Sequence, residues 1–312
     1  MRNQLLAIVF SVATITALTS SAFAAGSESR TLRPSDGTWT TTRVNTAFGD
    51  SIAAGYCGIF CRTDSYAVRY GRTVANSLDA SVSYRGRAQS GDVMSQIASK
   101  IRNNLTDLRA ADYITIEGCG NDFLNARKSY RNQSSCTNET VLASALTTCH
   151  TNLVSALDTI AANRKAGSKV VVMSLYYPGM NSDKSRICGG DRHFDIFLDY
   201  IVEANWNMCN EAWARGFECA DGLAAFNAAD VDTSLDADST PDIDQVRINR
   251  ATDEDNFGAY YDRVIAAKAV LTDANTKRTG TSTVVDYLQS DDVHPTAAGH
   301  QRLADEHAAQ GL

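Results

Sequence analysis

The stretch Thr40-Thr41-Thr42-Arg43-Val44-Asn45-Thr46-Ala47-Phe48-Gly49-Asp50-Ser51-Ile52-Ala53-Ala54-Gly55 changes character at Gly49. The residues up to Phe48 are rich in β-branched side chains and predict a strand, and Gly49 ends it in a turn. Ser51 follows where the chain leads toward a helix. A serine so placed exposes its hydroxyl above the carboxyl edge of a sheet, where α/β proteins gather their sites. A hydroxyl is a poor nucleophile until a base removes its proton, so the reading requires a partner elsewhere in the chain.

Working outward, Val93, Ile97 and Ile101 recur every four residues after Gly91 and predict a short helix. Tyr113-Ile114-Thr115-Ile116 reads as a buried strand meeting Gly118 and Gly120. Leu142, Leu146, Cys149, Leu153, Leu157 and Ile160 form the stripe of a long amphipathic helix that stops near Gly167. Val170-Val171-Val172-Met173 is an apolar strand closed by Pro178-Gly179, and Phe197, Ile201, Ala204, Met208 and Ala212 mark another helix stopping near Gly216. Strands alternating with helices need crossover connections and parallel pairing. The expectation is a single three-layer α/β/α sandwich with a central, mainly parallel sheet.

The chain has 312 residues, 44% hydrophobic and 21% charged, with a net charge of −7. That suits a globular domain, and an acidic balance without a basic run argues against a nucleic-acid partner. Arg2, the apolar run Leu5–Leu18 and the small-x-small end Ala22-Phe23-Ala24 predict a signal peptide over residues 1–24. The run falls short of the roughly 20 residues that a spanning helix needs, so no transmembrane anchor is expected. The mature domain would occupy 25–312, and the protein would be secreted or periplasmic. An acidic, turn-rich insertion near 228–256 carries Asp230, Asp232, Asp236, Asp238, Asp242 and Asp244. Its spacing fails the calcium-loop pattern, which favours a solvated surface segment bordering the cleft. A helix bearing Tyr260, Val264, Ile265 and Leu271 follows it.

All eight cysteines (Cys57, Cys61, Cys119, Cys136, Cys149, Cys188, Cys209 and Cys219) lie beyond the predicted leader. An even count in an exported chain points to disulfides, and the absence of C-x-x-C or H-E-x-x-H leaves no metal motif. Sequence does not choose among the pairings; the short loops Cys57–Cys61 and Cys209–Cys219 are favoured.

Among His150, His193, His294, His300 and His307, only His294 has an acid three residues before it, in Asp291-Asp292-Val293-His294-Pro295. A carboxylate there can accept from one ring nitrogen and leave the other free as a base toward serine. His150 fits the long helix, and His300 and His307 fit a terminal one, in structural or exposed roles. Gly91, in Ser90-Gly91-Asp92, offers a backbone N–H at the predicted start of a helix. Asn121, in Cys119-Gly120-Asn121-Asp122, follows the 113–116 strand to the same edge. The N–H groups of Ser51 and Gly91 and the Asn121 amide would give a tetrahedral oxyanion three donors.

Taken singly, Ser51 reads as a helix cap, Asn121 as a turn former and His294 as a surface residue before a proline. In their shared order and contexts, Ser51, Gly91, Asn121 and His294 resemble the SGNH (GDSL) hydrolase family, across Phe48 to Pro295. That resemblance implies a flavodoxin-like α/β/α fold and ester hydrolysis through an acyl-serine, most like secreted bacterial esterases and lipases. It further implies Asp291 as the triad acid and Ser51, Gly91 and Asn121 as the oxyanion hole. Ile52 and Cys119 replace the family's usual Leu and Gly, and Cys119 would bring a disulfide near the Asn121 loop.

No metal or organic cofactor is expected, because such a triad suffices for acyl transfer. The substrate would be a small-molecule or lipid ester; acylated carbohydrate is the alternative. A non-catalytic binding protein on the same fold would lack Ser, His or Asn, and all three are present. Tyr56, Phe60, Phe123, Tyr176 and Tyr177 cluster near the motifs and serve either an acyl pocket, sugar stacking or the core. Oligomeric state is not encoded in any of these features.

Overall fold

The computed structural model describes residues 27–58, 61–177, 191–227, 246–268, 287–289, 291 and 293–312, with 191–194 by backbone alone. The predicted leader, Phe60, Pro178-Gly179, Cys188, Leu271, Asp292 and the aspartates at 230–244 lie outside the described residues. The strands are β1 (Glu28–Leu32), β2 (Thr41–Phe48), β3 (Ala80–Gly86), β4 (Tyr113–Ile116), β5 (Lys169–Met173) and β6 (Glu218–Ala220). The helices are α1 (Ser51–Ala54), α2 (Tyr66–Ser77), α3 (Met94–Asn103), α4 (Leu105–Ala110), α5 (Gly120–Arg131) and α6 (Thr140–Asn163). They continue with α7 (Asp191–Ala214), α8 (Gly222–Asn227), α9 (Arg250–Asp253), α10 (Phe257–Ala266) and α11 (Ala297–Ala309).

The strands form one sheet in the order β1-β3-β2-β4-β5-β6. Every pairing is parallel except that of β1 with β3, which is antiparallel. Alternate residues sort the core into two layers, as a sheet covered on both faces requires. Phe48, Ile114, Ile116, Val170 and Val172 face α3, α5, α6 and α7. Ala47, Val82, Tyr113, Val171 and Met173 face α2 and α11. This is the expected three-layer α/β/α sandwich.

The chain leaves β2 for β3 on one side and then crosses to β4 on the other. Such a reversal opens a crevice at the carboxyl ends of the two diverging strands. In register, Phe48 pairs with Ile116, so the segments carrying Ser51 and Asn121 emerge side by side into that crevice. The fold has fixed where chemistry can occur.

Residues 246–256, the described end of the acidic stretch, are packed against the domain. Val246 and Ile248 are buried, and Asp253 is buried in an ion pair with Arg263 at 2.7 Å. Among the described residues no helix is long and apolar enough to cross a membrane.

Candidate active site

Ser51 opens α1, a single turn whose preceding residue Asp50 accepts the Ile52 N–H on its side chain at 2.9 Å. Gly55 closes the turn at φ 70°, a left-handed conformation that favours glycine. The result is a tight elbow with Ser51 almost buried and its hydroxyl directed at the crevice. His294 Nε2 lies 2.9 Å from Ser51 Oγ, and His294 Nδ1 lies 2.6 Å from Asp291 Oδ2. A carboxylate cannot donate, so Nδ1 carries the ring proton and Nε2 accepts from the serine hydroxyl.

The His294 loop is held from several directions. Asp291 Oδ1 accepts the N–H groups of Val293 and His294, both at 3.0 Å. Burial alone would raise the Asp291 pKa, but bonds from the His294 ring and these N–H groups hold it down at about 2. Gln289 donates its backbone N–H to the His294 carbonyl at 2.8 Å, and its side chain donates to the carbonyls of Pro295 and Tyr56. The Tyr176 hydroxyl donates to the Val293 carbonyl, while its ring stacks on Phe226 with centroids 4.6 Å apart.

Asn121, in the first turn of α5, donates from Nδ2 to Asp50 Oδ2 at 3.0 Å and to the Asp92 carbonyl at 2.9 Å. Two acceptors fix the amide's orientation, since the flipped amide would set its oxygen against both. Gly91 adopts φ 88° in an exposed turn one residue before Asp92, and α3 begins only at Met94. The helix start expected at Gly91 thus falls three residues later, because Val93 is the capping position. Gly91 is not on the cavity wall, but it adjoins the carbonyl that Asn121 holds.

A cavity of about 260 Å³ opens beside Ser51 and His294. Phe123, Leu124, Met173, Leu175, Phe197 and Ile201 give it largely apolar walls. The wall after β5 is gripped by two amides: Asn205 accepts from the Leu175 N–H and donates to the Leu175 carbonyl, and Asn227 does the same for Tyr177. Each pair imitates a strand partner where the sheet has ended. Of the aromatic cluster, Phe123 and Tyr176 line the cavity, Tyr56 packs on the His294 ring, and Tyr177 is buried against Phe197.

Cysteine pairing follows the expectation for Cys57–Cys61 and Cys209–Cys219. Cys119 pairs with Cys149, tying the start of α5, beside Asn121, to α6. Cys136 is disulfide-bonded as well. His300 and His307 are fully buried on α11, and His150 bonds Glu211 at 3.0 Å. The sequence reading passed over Glu117, which is buried beneath Asp50. Its signal was available: an acid directly after four buried strand residues is costly unless something uses it.

Residues 47–302 match the model of the GDSL-like lipase/acylhydrolase family. The spore germination lipase LipC of Bacillus licheniformis is 30% identical over 156 residues, 47% of this chain and 71% of that protein. Among solved structures, the lipase Lip_vut3 from a goat rumen metagenome aligns with a TM-score of 0.56 at 21% identity, over 86% of this chain and 97% of that one. Phospholipase A1 from Streptomyces albidoflavus aligns with a TM-score of 0.52 at 18% identity, over 86% and 99% of the two chains.

Proposed function

The chain belongs to the GDSL-like lipase/acylhydrolase family and is a carboxylic ester hydrolase; on that premise we propose that it works through an acyl-serine formed on Ser51. Ser51 Oγ attacks the acyl carbon, and His294 Nε2 takes its proton and returns it to the departing alcohol. Asp291 holds the imidazole in the tautomer that can accept, and stabilises the imidazolium once it forms. Water, activated by the same ring, then releases the acid. The observation that carries this reading is the continuous hydrogen-bonded series from Asp291 through His294 to Ser51 at the mouth of an apolar cavity.

The oxyanion is met by the Ser51 N–H, which as the first residue of α1 has no intrahelical acceptor. Asn121 is the second donor; the Gly91 N–H, set back from the cavity wall beside the Asp92 carbonyl, becomes the third only if its turn closes on bound substrate. The Asn121 amide, oriented by Asp50 and the Asp92 carbonyl, shares a hydrogen with the developing charge.

Apolar walls of Phe123, Leu124, Phe197 and Ile201 favour an ester with a hydrocarbon acyl group over a sugar acetate. At about 260 Å³ the cavity suits short and medium acyl chains. Residues 1–24 direct export, and the disulfides support an oxidising destination.

The test is hydrolysis of p-nitrophenyl esters of rising chain length, with acetyl-xylan as the contrasting substrate. Rates will peak between butyrate and octanoate, and Ser51→Ala will abolish turnover and labelling by a fluorophosphonate. A folded Ser51→Ala protein that still turns over would end the mechanism. A preference for acetyl-xylan would end the acyl-chain assignment.

A further inference from the structure

Two acidic side chains lie buried under the elbow that carries Ser51. Glu117 is 4% exposed and Asp50 3%. Glu117 Oε1 accepts the N–H of Asp50 at 2.6 Å and that of Ala53 at 3.3 Å. The close approach explains Gly49, because a Cβ there would sit 2.3 Å from Glu117 Oε1. Asp50 Oδ1 accepts from the Ile52 N–H and lies 3.4 Å from Ser51 Oγ, and Oδ2 accepts from Asn121 at 3.0 Å.

The two buried carboxyl groups are close neighbours, and two charges so placed would repel, which favours a proton on one of them. Both Asp50 oxygens already receive donors, which favours charge there. Both backbone donors to Glu117 fall on Oε1 and leave Oε2 to carry the proton. Burial, and then the Asp50 charge, lift the Glu117 pKa well above its ordinary value of 4.5. The other titratable groups facing the pair are Tyr66 on α2, Asp122 on α5 and His294.

We propose that Glu117 is a positioning residue of this hydrolase that acts as a neutral carboxylic acid. Its carbonyl oxygen fixes the Asp50 and Ala53 N–H groups, and so the backbone that carries Ser51. Its hydroxyl donates to Asp50, which aims the Asn121 amide. One buried charge serves the elbow; a second would push the carboxylates apart and loosen both Ser51 and Asn121. This inference rests on the assignment of Ser51 as the nucleophile.

The test compares Glu117→Gln with Glu117→Ala. Gln keeps an acceptor for the backbone and a donor for Asp50, yet cannot ionise. Glu117→Ala will lose roughly 10²-fold in kcat/KM, the scale of a misplaced reacting group, and Glu117→Gln will recover most of that loss. Wild-type activity will fall as rising pH forms the second charge, and the Glu117→Gln plateau will extend beyond that point. Since the raised pKa means that the folded state holds the proton longer, wild-type stability declines as pH rises from 4.5, and Glu117→Gln removes that decline. Glu117→Gln as impaired as Glu117→Ala, or alkaline limbs that coincide, would overturn the proposal. Fluorophosphonate labelling of the wild type separates the two readings: no adduct on Ser51 defeats the nucleophile assignment. An adduct that forms equally fast in Glu117→Ala defeats the role of Glu117 alone.

Discussion

The Tyr56 ring lies against the His294 ring, centroids 4.5 Å apart and planes inclined at 51°. Tyr56 also donates its N–H to the Ser51 carbonyl at 3.0 Å, so one residue braces both the serine turn and the imidazole. Removing the ring frees the imidazole to rotate away from Ser51 Oγ. We expect Tyr56→Ala to lower kcat about tenfold or more with little change in folding, and Tyr56→Phe to retain activity. Steady-state kinetics on a short p-nitrophenyl ester check both.

On the proposed mechanism Asn121→Ala removes an oxyanion donor, and it strips Asp50 Oδ2 of the Asn121 amide. The expected loss is about 2.7–4 kcal/mol in the barrier, expressed in kcat rather than KM, because the charge it meets exists only in the transition state. A variant with unchanged kcat would remove Asn121 from the oxyanion site.

Asp291, held down at about 2, stays ionised at any pH well above that value, so its charge stands beside the His294 ring throughout a neutral assay. In Asp291→Asn the ring loses the acceptor that fixes its tautomer, and turnover drops by orders of magnitude. Turnover of the two proteins on one substrate tests the assignment; a fully active Asp291→Asn would contradict it.

Stability carries a separate acid signature. Buried His300 is held down at about 3, chiefly by desolvation, and buried His307 at about 4 for the same reason. His300 Nδ1 accepts the Tyr66 N–H, whereas His307 Nδ1 donates to the Leu303 carbonyl, so the two neutral rings hold opposite tautomers. Unfolded, each takes a proton from its ordinary value of 6.5 downward. The native state therefore loses up to about 1.4 kcal/mol per pH unit for each ring below that value. The loss ends near pH 4 for His307 and near pH 3 for His300. His307→Phe will flatten the dependence in denaturant titrations, and an unaltered slope would refute it.

Much of this molecule was legible in its sequence where local chemistry and tertiary role coincide. β2, β4 and β5 are runs of apolar or β-branched residues ending at turns, and the long helices show their stripes. β1, β3 and the three-residue β6 were missed. β1 alternates exposed and half-buried residues at the sheet edge, and β3 reads Ala-Ser-Val-Ser-Tyr-Arg-Gly, in which Val82 and Tyr84 pack under α2 while the alternate Ser83 and Arg85 are only half-buried, leaving a short apolar pattern. The pairing of Ser51 with His294 was recoverable because the acid three residues before the histidine is a local signal. The apolar wall from Phe197 and Ile201 was not, since it forms only through contacts distant in sequence; Glu117 was visible as an acid after a buried strand, but its partners Asp50 and Ala53 lie too far along the chain to be read from it.

Cys119 is both the capping residue of the helix that bears Asn121 and one half of a covalent tie to a neighbouring helix. A copy matured where thiols stay reduced would keep its alcohol and imidazole but give up that tether. Biosynthetic route thereby decides whether the Asn121 helix is tethered, and two preparations of identical sequence can differ in how firmly that helix is held.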